Sequence, residues 1–173
     1  AMIIASGVAT YIISLSTLDS LTLTQSNYYK AYRFAEVFAG LKRAPLSLAE
    51  RVRDIEGVRE AEARVKAQIN VEVPGFGDPV TGLLVSLPDD RVPLLNQLHQ
   101  VRGRTPASDR PWEVVINEAF ADAQDLAPGD TIIGIINGRR EDLAIVGVAL
   151  SPEFIYQIRP GDKISDQLLI SGL

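Results

Sequence analysis

The chain has 173 residues, 46% of them hydrophobic and 23% charged, which is enough for one domain with a buried core or for two small lobes. The formal net charge of −5 and the lack of a basic face argue against a nucleic-acid-binding protein. The absence of cysteine excludes a disulfide scaffold and any thiolate metal site, and a single histidine gives no basis for a histidine-based metal site.

The first stretch, Met2–Leu15, contains no charged residue, and Asp19 is the first charge in the chain. A helix needs about 20 apolar residues to cross a bilayer, so this stretch is too short to cross one alone. Two interpretations remain: a buried core helix, or the outer end of a transmembrane helix that begins upstream. Gly7, which suits close helix packing in a bilayer, and Tyr11, which suits its interface, favour the second.

The next segment, Leu18–Leu41, keeps a helical spacing of aromatic residues and is predicted to be one long helix that leads away from the membrane. It holds three of the five tyrosines, Tyr28, Tyr29 and Tyr32. This cluster either forms a contact surface for a partner or a second copy of the chain, or packs the helix on the domain. Packing is the favoured interpretation.

Residues 46–100 are predicted to form a first small lobe. Strict alternation over Ala61–Val73 predicts a strand with one buried and one wet face, which places Glu62 and Arg64 on the wet face. Val80–Leu87 is predicted to be its antiparallel partner.

The connection to the second lobe contains the residues that most invite a chemical interpretation. Pro93–Gln100 is predicted to be a short helix or an irregular segment. His99 has no arrangement of serine and aspartate near it that would indicate a catalytic triad. Arg102 and Arg104 either bind an anion or form structural ion pairs, and the ion pairs are favoured.

The second lobe, residues 101–164, contains a predicted strand–helix–turn unit. Glu113–Ile116 is a β-branched apolar run typical of a strand, and Asn117 follows where a helix N-cap is needed. Phe120 and Leu126 belong to one apolar stripe of a short helix. A Pro-Gly-Asp turn then reverses the chain.

A hairpin is predicted to follow this unit. Its strands are Thr131–Ile136 and Leu143–Leu150, and its turn contains Asn137 and Gly138, the pair that best suits a type I′ turn. Residues 165–173 match no motif and are treated as a tail.

The order of these elements resembles the extracytoplasmic core domain of ABC-transporter permeases, namely the MacB-like periplasmic domain attached to FtsX-like permeases. The resemblance lies in a Gly-Arg pair before the strand–helix unit, a Leu-x-Pro-Gly-Asp-Thr turn and a strand that ends in Val-x-Gly. The matching residues of the unit and hairpin are Val114, Val115, Ala119, Phe120, Ala121, Leu126, Gly129, Asp130, Thr131, Ile145, Val146, Gly147 and Val148.

The resemblance, together with the order of the elements, predicts an α+β fold with mixed or antiparallel strands in one small sheet or two, arranged as two small lobes with flanking helices and an amino-terminal helical stalk. It divides the chain into a truncated transmembrane helix end and stalk at 1–45, an extracytoplasmic core domain at 46–164, and a carboxyl-terminal tail at 165–173. The lobes of the core domain are expected at about 46–100 and 101–164.

The function implied by the resemblance is non-catalytic. The domain would couple cytoplasmic ATPase-driven motion to the handling of a substrate or partner protein outside the bacterial inner membrane. The expected partners are an ABC ATPase subunit, reached through the membrane part of the parent protein, a periplasmic partner or cargo, and a second copy in a dimer. The alternative is a free extracytoplasmic module that binds a ligand or protein without a transport role.

No catalytic, cofactor-binding or metal-binding residues are predicted, and no cofactor or nucleic acid is expected. The candidates for an interface are Tyr28, Tyr29, Tyr32 and Trp112, because aromatic residues are enriched at protein–protein interfaces.

Overall fold

The computed structural model describes residues 2–73, 79–88, 91–154 and 168–171, with the backbone alone for 2–5 and 168–171. Residues 155–164 of the predicted core domain lie outside this description. In chain order the elements are α1 (Met2–Ala31), α2 (Ser47–Arg53), β1 (Lys66–Glu72), β2 (Val80–Val85), β3 (His99–Gly103), β4 (Glu113–Asn117), α3 (Glu118–Ala123), β5 (Thr131–Ile136), β6 (Arg139–Leu150), a 3-10 turn (Pro152–Phe154) and β7 (Leu168–Ser171).

The seven strands of the described chain form one mixed sheet in the order β3-β6-β4-β7-β2-β1-β5. β5 also pairs with β6, so the six strands other than β3 form a closed circuit of backbone pairing. The 12-residue strand β6 closes the circuit, because its first half pairs with β5 and its second half pairs with β4 and β3. The β4–β6 pairing is parallel, whereas β6 runs antiparallel to β3 and β5.

One hydrophobic cluster joins residues of β1, β2, β4, β5 and β6. Val71 of β1, Ile132 of β5 and Leu143 of β6 are completely buried and belong to the same cluster. β1 and β5 pair directly, with Asn70 opposite Ile135. The helices and strands confirm the α+β class. The β1–β5 pairing joins a strand of the first predicted lobe to a strand of the second, so the two lobes share one continuous sheet.

The helix α1 ends at Ala31, well before the predicted end at Leu41. It stops in a Schellman arrangement, in which the Phe34 N–H donates to the Tyr29 carbonyl (2.9 Å) and the Arg33 N–H to the Lys30 carbonyl (3.3 Å). Arg33 adopts the left-handed φ of 50° that this ending requires, a conformation usually supplied by glycine. With no glycine at this position, the sequence contains no obvious stop signal.

The amino-terminal part of α1 is not part of the core. All residues from 6 to 25 are exposed, and Val8 and Leu23 retain 53% and 63% of their surface. The buried-helix interpretation is therefore wrong for residues 6–15, the part of Met2–Leu15 whose side chains the structure describes, and the transmembrane interpretation stays a prediction. Five hydroxyl groups donate to the carbonyl four residues earlier, which satisfies them within the helix: Thr10, Ser14, Thr17, Thr22 and Thr24.

Within the part of the chain that the structure describes, no helix is both long enough and apolar enough to span a membrane.

The predicted strand at Ala61–Val73 is correct only in its second half, where β1 begins at Lys66. Before that point the predicted faces are reversed. The side chains of Glu62 and Arg64 are 4% and 9% exposed, whereas Val65 is 68% exposed. The cause is that Glu62 and Arg64 bond to the backbone of the segment before β3, which the alternation could not indicate.

The strand–helix unit is confirmed, and so is the hairpin, although its second strand begins at Arg139 and not at the predicted Leu143. The Asn117 side chain accepts from the Ala119 N–H at 2.9 Å and caps α3. Asn137 and Gly138 have φ values of 50° and 79°, as the predicted turn requires. Two strands were not predicted: β3, within and just after the segment Pro93–Gln100, and β7, which places part of the predicted tail between β2 and β4.

Candidate functional site

The three predicted interface tyrosines lie together at the carboxyl end of α1. Tyr28 and Tyr32 are half-buried, with ring centroids 4.7 Å apart. Tyr29 stacks on Phe34 at 4.4 Å, because the Schellman ending folds the chain back over the last turn of the helix. Phe34 in turn lies 5.6 Å from Phe38, which extends the aromatic surface beyond the helix.

This aromatic cluster joins α1 to the open edge of the sheet. The Tyr32 ring meets His99 of β3 edge-on at 5.2 Å, and the Tyr32 hydroxyl is hydrogen-bonded to His99 Nδ1. The Tyr28 hydroxyl is buried and has no hydrogen-bond partner among the residues that the structure describes. Burial, followed by the nearby Tyr32 and Tyr29, raises the pKa of Tyr28. The cluster thus packs the helix end on the domain, and its role as an interface stays a prediction.

Trp112 occupies a different position. It lies immediately before β4 and packs against the buried core. Its φ is 71°, and its carbonyl accepts from the Ala144 N–H of β6 at 2.8 Å. The structure therefore gives Trp112 a place in the β4–β6 packing and does not bring it into the tyrosine cluster.

The residue after Trp112, Glu113, holds the loop between β3 and β4. Arg104 donates to both carboxylate oxygens, with Nη1 2.6 Å from Oε2, and the Ala107 N–H donates to Oε2 at 3.0 Å. The hydrogen bonds from Arg104, then that from Ala107, lower the pKa of Glu113 to about 2. Glu113 is thus a permanent carboxylate near neutral pH and is unsuited to donating a proton.

The ion-pair interpretation of the two arginines is confirmed. Arg104 pairs with Glu113, and Arg102 Nη2 lies 2.7 Å from Asp122 Oδ1 of α3. Arg102 and Asp122 are 45% and 63% exposed, so this second pair lies at the surface.

Two motif glycines let β3 and β6 approach closely. A Cβ on Gly147 would overlap the Arg104 carbonyl oxygen and the Gln100 side chain. Gly103 has a φ of 74°, and a Cβ there would lie 2.9 Å from Pro128 Cγ. Gln100 Nε2 donates to the Arg102 carbonyl at 2.6 Å beside the β3–β6 bulge. The motif residues thus build one closely packed corner of the sheet.

Among residues 2–73, 79–88, 91–154 and 168–171, no three histidine, aspartate or glutamate side chains come together as a metal site would require. The arrangement around β3, β4 and β6 consists of charges that are paired with each other and of close backbone packing. Such a site is suited to holding a shape and to presenting an aromatic surface.

The solved structures that this chain is similar to include two extracytoplasmic domains. One is the periplasmic region of MacB from Actinobacillus actinomycetemcomitans, with 14% identity over 76% of this chain and 56% of that chain and a TM-score of 0.45. The other is the extracellular domain of the noncanonic ABC-type transporter YknZ from Gram-positive bacteria, with 12% identity over 81% of this chain and 70% of that chain and a TM-score of 0.46.

The chain spans a little over half the length of the MacB region. Its similarity is to the kind of domain that its sequence motifs resemble. No protein-family model and no curated protein matched the sequence.

Proposed function

We propose that this chain is an extracytoplasmic domain of an ABC-transporter permease at the bacterial inner membrane. The domain has no catalytic activity of its own. It receives motion driven by an ATPase on the cytoplasmic side and passes it to a substrate or a partner protein outside the membrane.

The observation that carries this proposal is the shape and exposure of α1. Its 30 residues make a rod about 45 Å long at 1.5 Å per residue. Residues 6–25 are exposed, and the half-buried residues lie toward the carboxyl end, where the tyrosine cluster meets β3. A stiff rod held at one end is suited to transmit a push or a tilt, and the uncharged half of α1 is suited to continue toward a membrane.

The motif residues support the other half of the proposal, a rigid body that receives the motion. Gly103 and Gly147 bring two strands into close contact, and Arg104 ties the following loop to Glu113. Gly103, Arg104 and Gly147 carry the MacB-like sequence resemblance, and Glu113 lies next to Val114, which also carries it. Their roles are structural, as expected of a domain that moves as a unit.

The test is the membrane topology of the full-length protein that carries this chain. The chain has no cysteine, so Arg139→Cys, at an exposed position beside the hairpin turn, introduces one thiol. Intact cells are treated with a membrane-impermeant maleimide after cysteines elsewhere in the protein have been removed. Ala121→Cys is the matched control, because Ala121 is 1% exposed and its thiol should react only after unfolding.

We expect labelling at position 139 in intact cells, on a protein that stays with the membrane during alkaline extraction. Labelling only after lysis would place the domain in the cytoplasm and overturn the proposal. Labelling of a protein that alkaline extraction releases would favour the free binding module instead.

A further inference from the structure

A mostly buried group of charges lies at the amino end of β1. Glu62, Arg64 and Glu153 keep only 4%, 9% and 7% of their side-chain surface exposed. Arg64 lies 3.0 Å from Glu62 and 3.8 Å from Glu153, and Lys66 completes the group by pairing with Glu153. Two positive and two negative charges balance, so the group is neutral as a whole.

The same side chains hold the backbone of the segment before β3. The N–H groups of Leu94 and Leu95 donate to the Glu62 carboxylate at 3.1 and 3.2 Å, and Arg64 donates to the Leu95 carbonyl. The charges therefore fix one end of β1 to the segment that leads into β3.

Asn96 links this group to the end of α1. Its N–H donates to the Arg33 carbonyl at 3.0 Å, and its Oδ1 accepts from the Ala35 N–H at 2.9 Å. Its Nδ2 donates to Glu153 Oε2 at 3.4 Å. Asn96 is 5% exposed and has a left-handed φ of 49°, a conformation that asparagine tolerates better than most residues.

We propose that Asn96 and the four charged residues form a latch that fixes the direction of α1 relative to the sheet and opens as one unit. Opening would release the segment after α1 and the turn Pro152–Phe154 together. Lys66 is 44% exposed, but loss of Arg64 would leave the buried Glu62 carboxylate without its positive partner, so partial opening is unfavourable. The existence of the latch rests on contacts within the chain. Its role in passing motion from α1 to the sheet rests on the proposed function.

The test uses Asn96→Asp in the isolated chain. The new side chain keeps an oxygen for the Ala35 N–H but places a second carboxylate opposite Glu153. Asn137→Asp is the matched control, because Asn137 also has a left-handed φ (50°) but is exposed in the hairpin turn. Spin labels at Ser20→Cys in α1 and Arg139→Cys in the hairpin measure the distance between helix and sheet. Hydrogen exchange measures how strongly each backbone amide is protected.

For Asn96→Asp we expect a broader label distance and exchange about tenfold faster or more at the amides of Leu94, Leu95 and Phe154 together, since a hydrogen bond to a charged group is worth about that factor. The amides of β4 should keep their protection. Faster exchange at Phe154 alone, with an unchanged label distance, would show that the group does not open as a unit. The same broadening in Asn137→Asp would also overturn the latch.

If Asn96→Asp destabilises the whole chain, Glu153→Gln serves in its place, because it removes one charge with little change of shape. The exchange rates of the same amides and the same label distance then show whether the latch opens as one unit. The isolated chain contains neither membrane nor ATPase, so this result stands apart from the topology of the full-length protein.

Discussion

At the scale of single residues, Glu113 makes a contribution to stability that depends on pH. Its pKa of about 2 in the folded chain lies below the ordinary value of 4.5. A lowered pKa stabilises the fold above the unfolded-state value, and the stabilisation is lost as the pH falls toward the folded-state value. We predict that Glu113→Gln lowers the free energy of unfolding at neutral pH, and that its difference from the parent chain shrinks between about pH 4.5 and about pH 2. Urea unfolding across this range measures both.

Asp122→Asn is the control for this prediction. Asp122 also pairs with an arginine, but both partners are largely exposed and solvent weakens the interaction. Its effect on the free energy of unfolding should be small at every pH. A pH dependence as large as that of Glu113→Gln would contradict the importance assigned to the Arg104–Glu113 contact.

At the scale of elements, the close pairing of β3 and β6 depends on Gly147, which has no side chain. We predict that Gly147→Ala lowers the free energy of unfolding by about 1–3 kcal/mol, because its methyl group would overlap the Arg104 carbonyl and the Gln100 side chain. A methyl group on Gly40 would meet no atom within 4 Å, so Gly40→Ala should change stability by less than about 0.5 kcal/mol. Equal effects in denaturant unfolding would mean that the close approach of the strands is not required.

Some elements could be predicted from the sequence because their signals are local. The cap of α3 depends on Asn117 and the amide two residues later. The β5–β6 hairpin depends on Asn137 and Gly138, whose backbone preferences fix the turn wherever the strands lie. In both cases the decisive contact lies within a few residues of the signal.

Other elements depend on distant partners and were missed for that reason. Arg64 is buried because it donates to Leu95, 31 positions away, and nothing near Arg64 in the sequence indicates this. β3 is mostly exposed, so it lacks the alternation that identifies a strand. Among the candidate interface residues, only the clustering of the tyrosines could be read from their helical spacing, whereas the position of Trp112 is set by its contact with β6.

At the scale of the whole molecule, the proposed function requires α1 to be continuous. We predict that Leu21→Pro, in the exposed middle of α1, uncouples the sheet from the membrane while leaving the sheet folded. Proline removes one helix hydrogen bond and clashes with the preceding turn, at a cost of about 3 kcal/mol within the helix. The measurement is hydrogen exchange of residues 91–103, with and without ATP, in membranes that contain the full-length permease and its ATPase.

Leu21→Ala is the control, because it removes the same apolar side chain and keeps the helix intact. It should retain an ATP-dependent change in exchange that Leu21→Pro loses, at similar rates of ATP hydrolysis. A response that survives in Leu21→Pro would show that motion reaches the sheet by a route other than α1.

The closed circuit of strands also affects how the domain self-associates at high concentration. Of the described strands, only β3 has an unpaired long edge, since every other strand has at least two neighbours. That edge carries a bulge and exposed His99 and Arg102, features that discourage a strand of another molecule from adding to it. Self-association in concentrated solution should therefore begin at the exposed apolar surface of α1, and shortening that helix should improve solubility more than any change to the sheet.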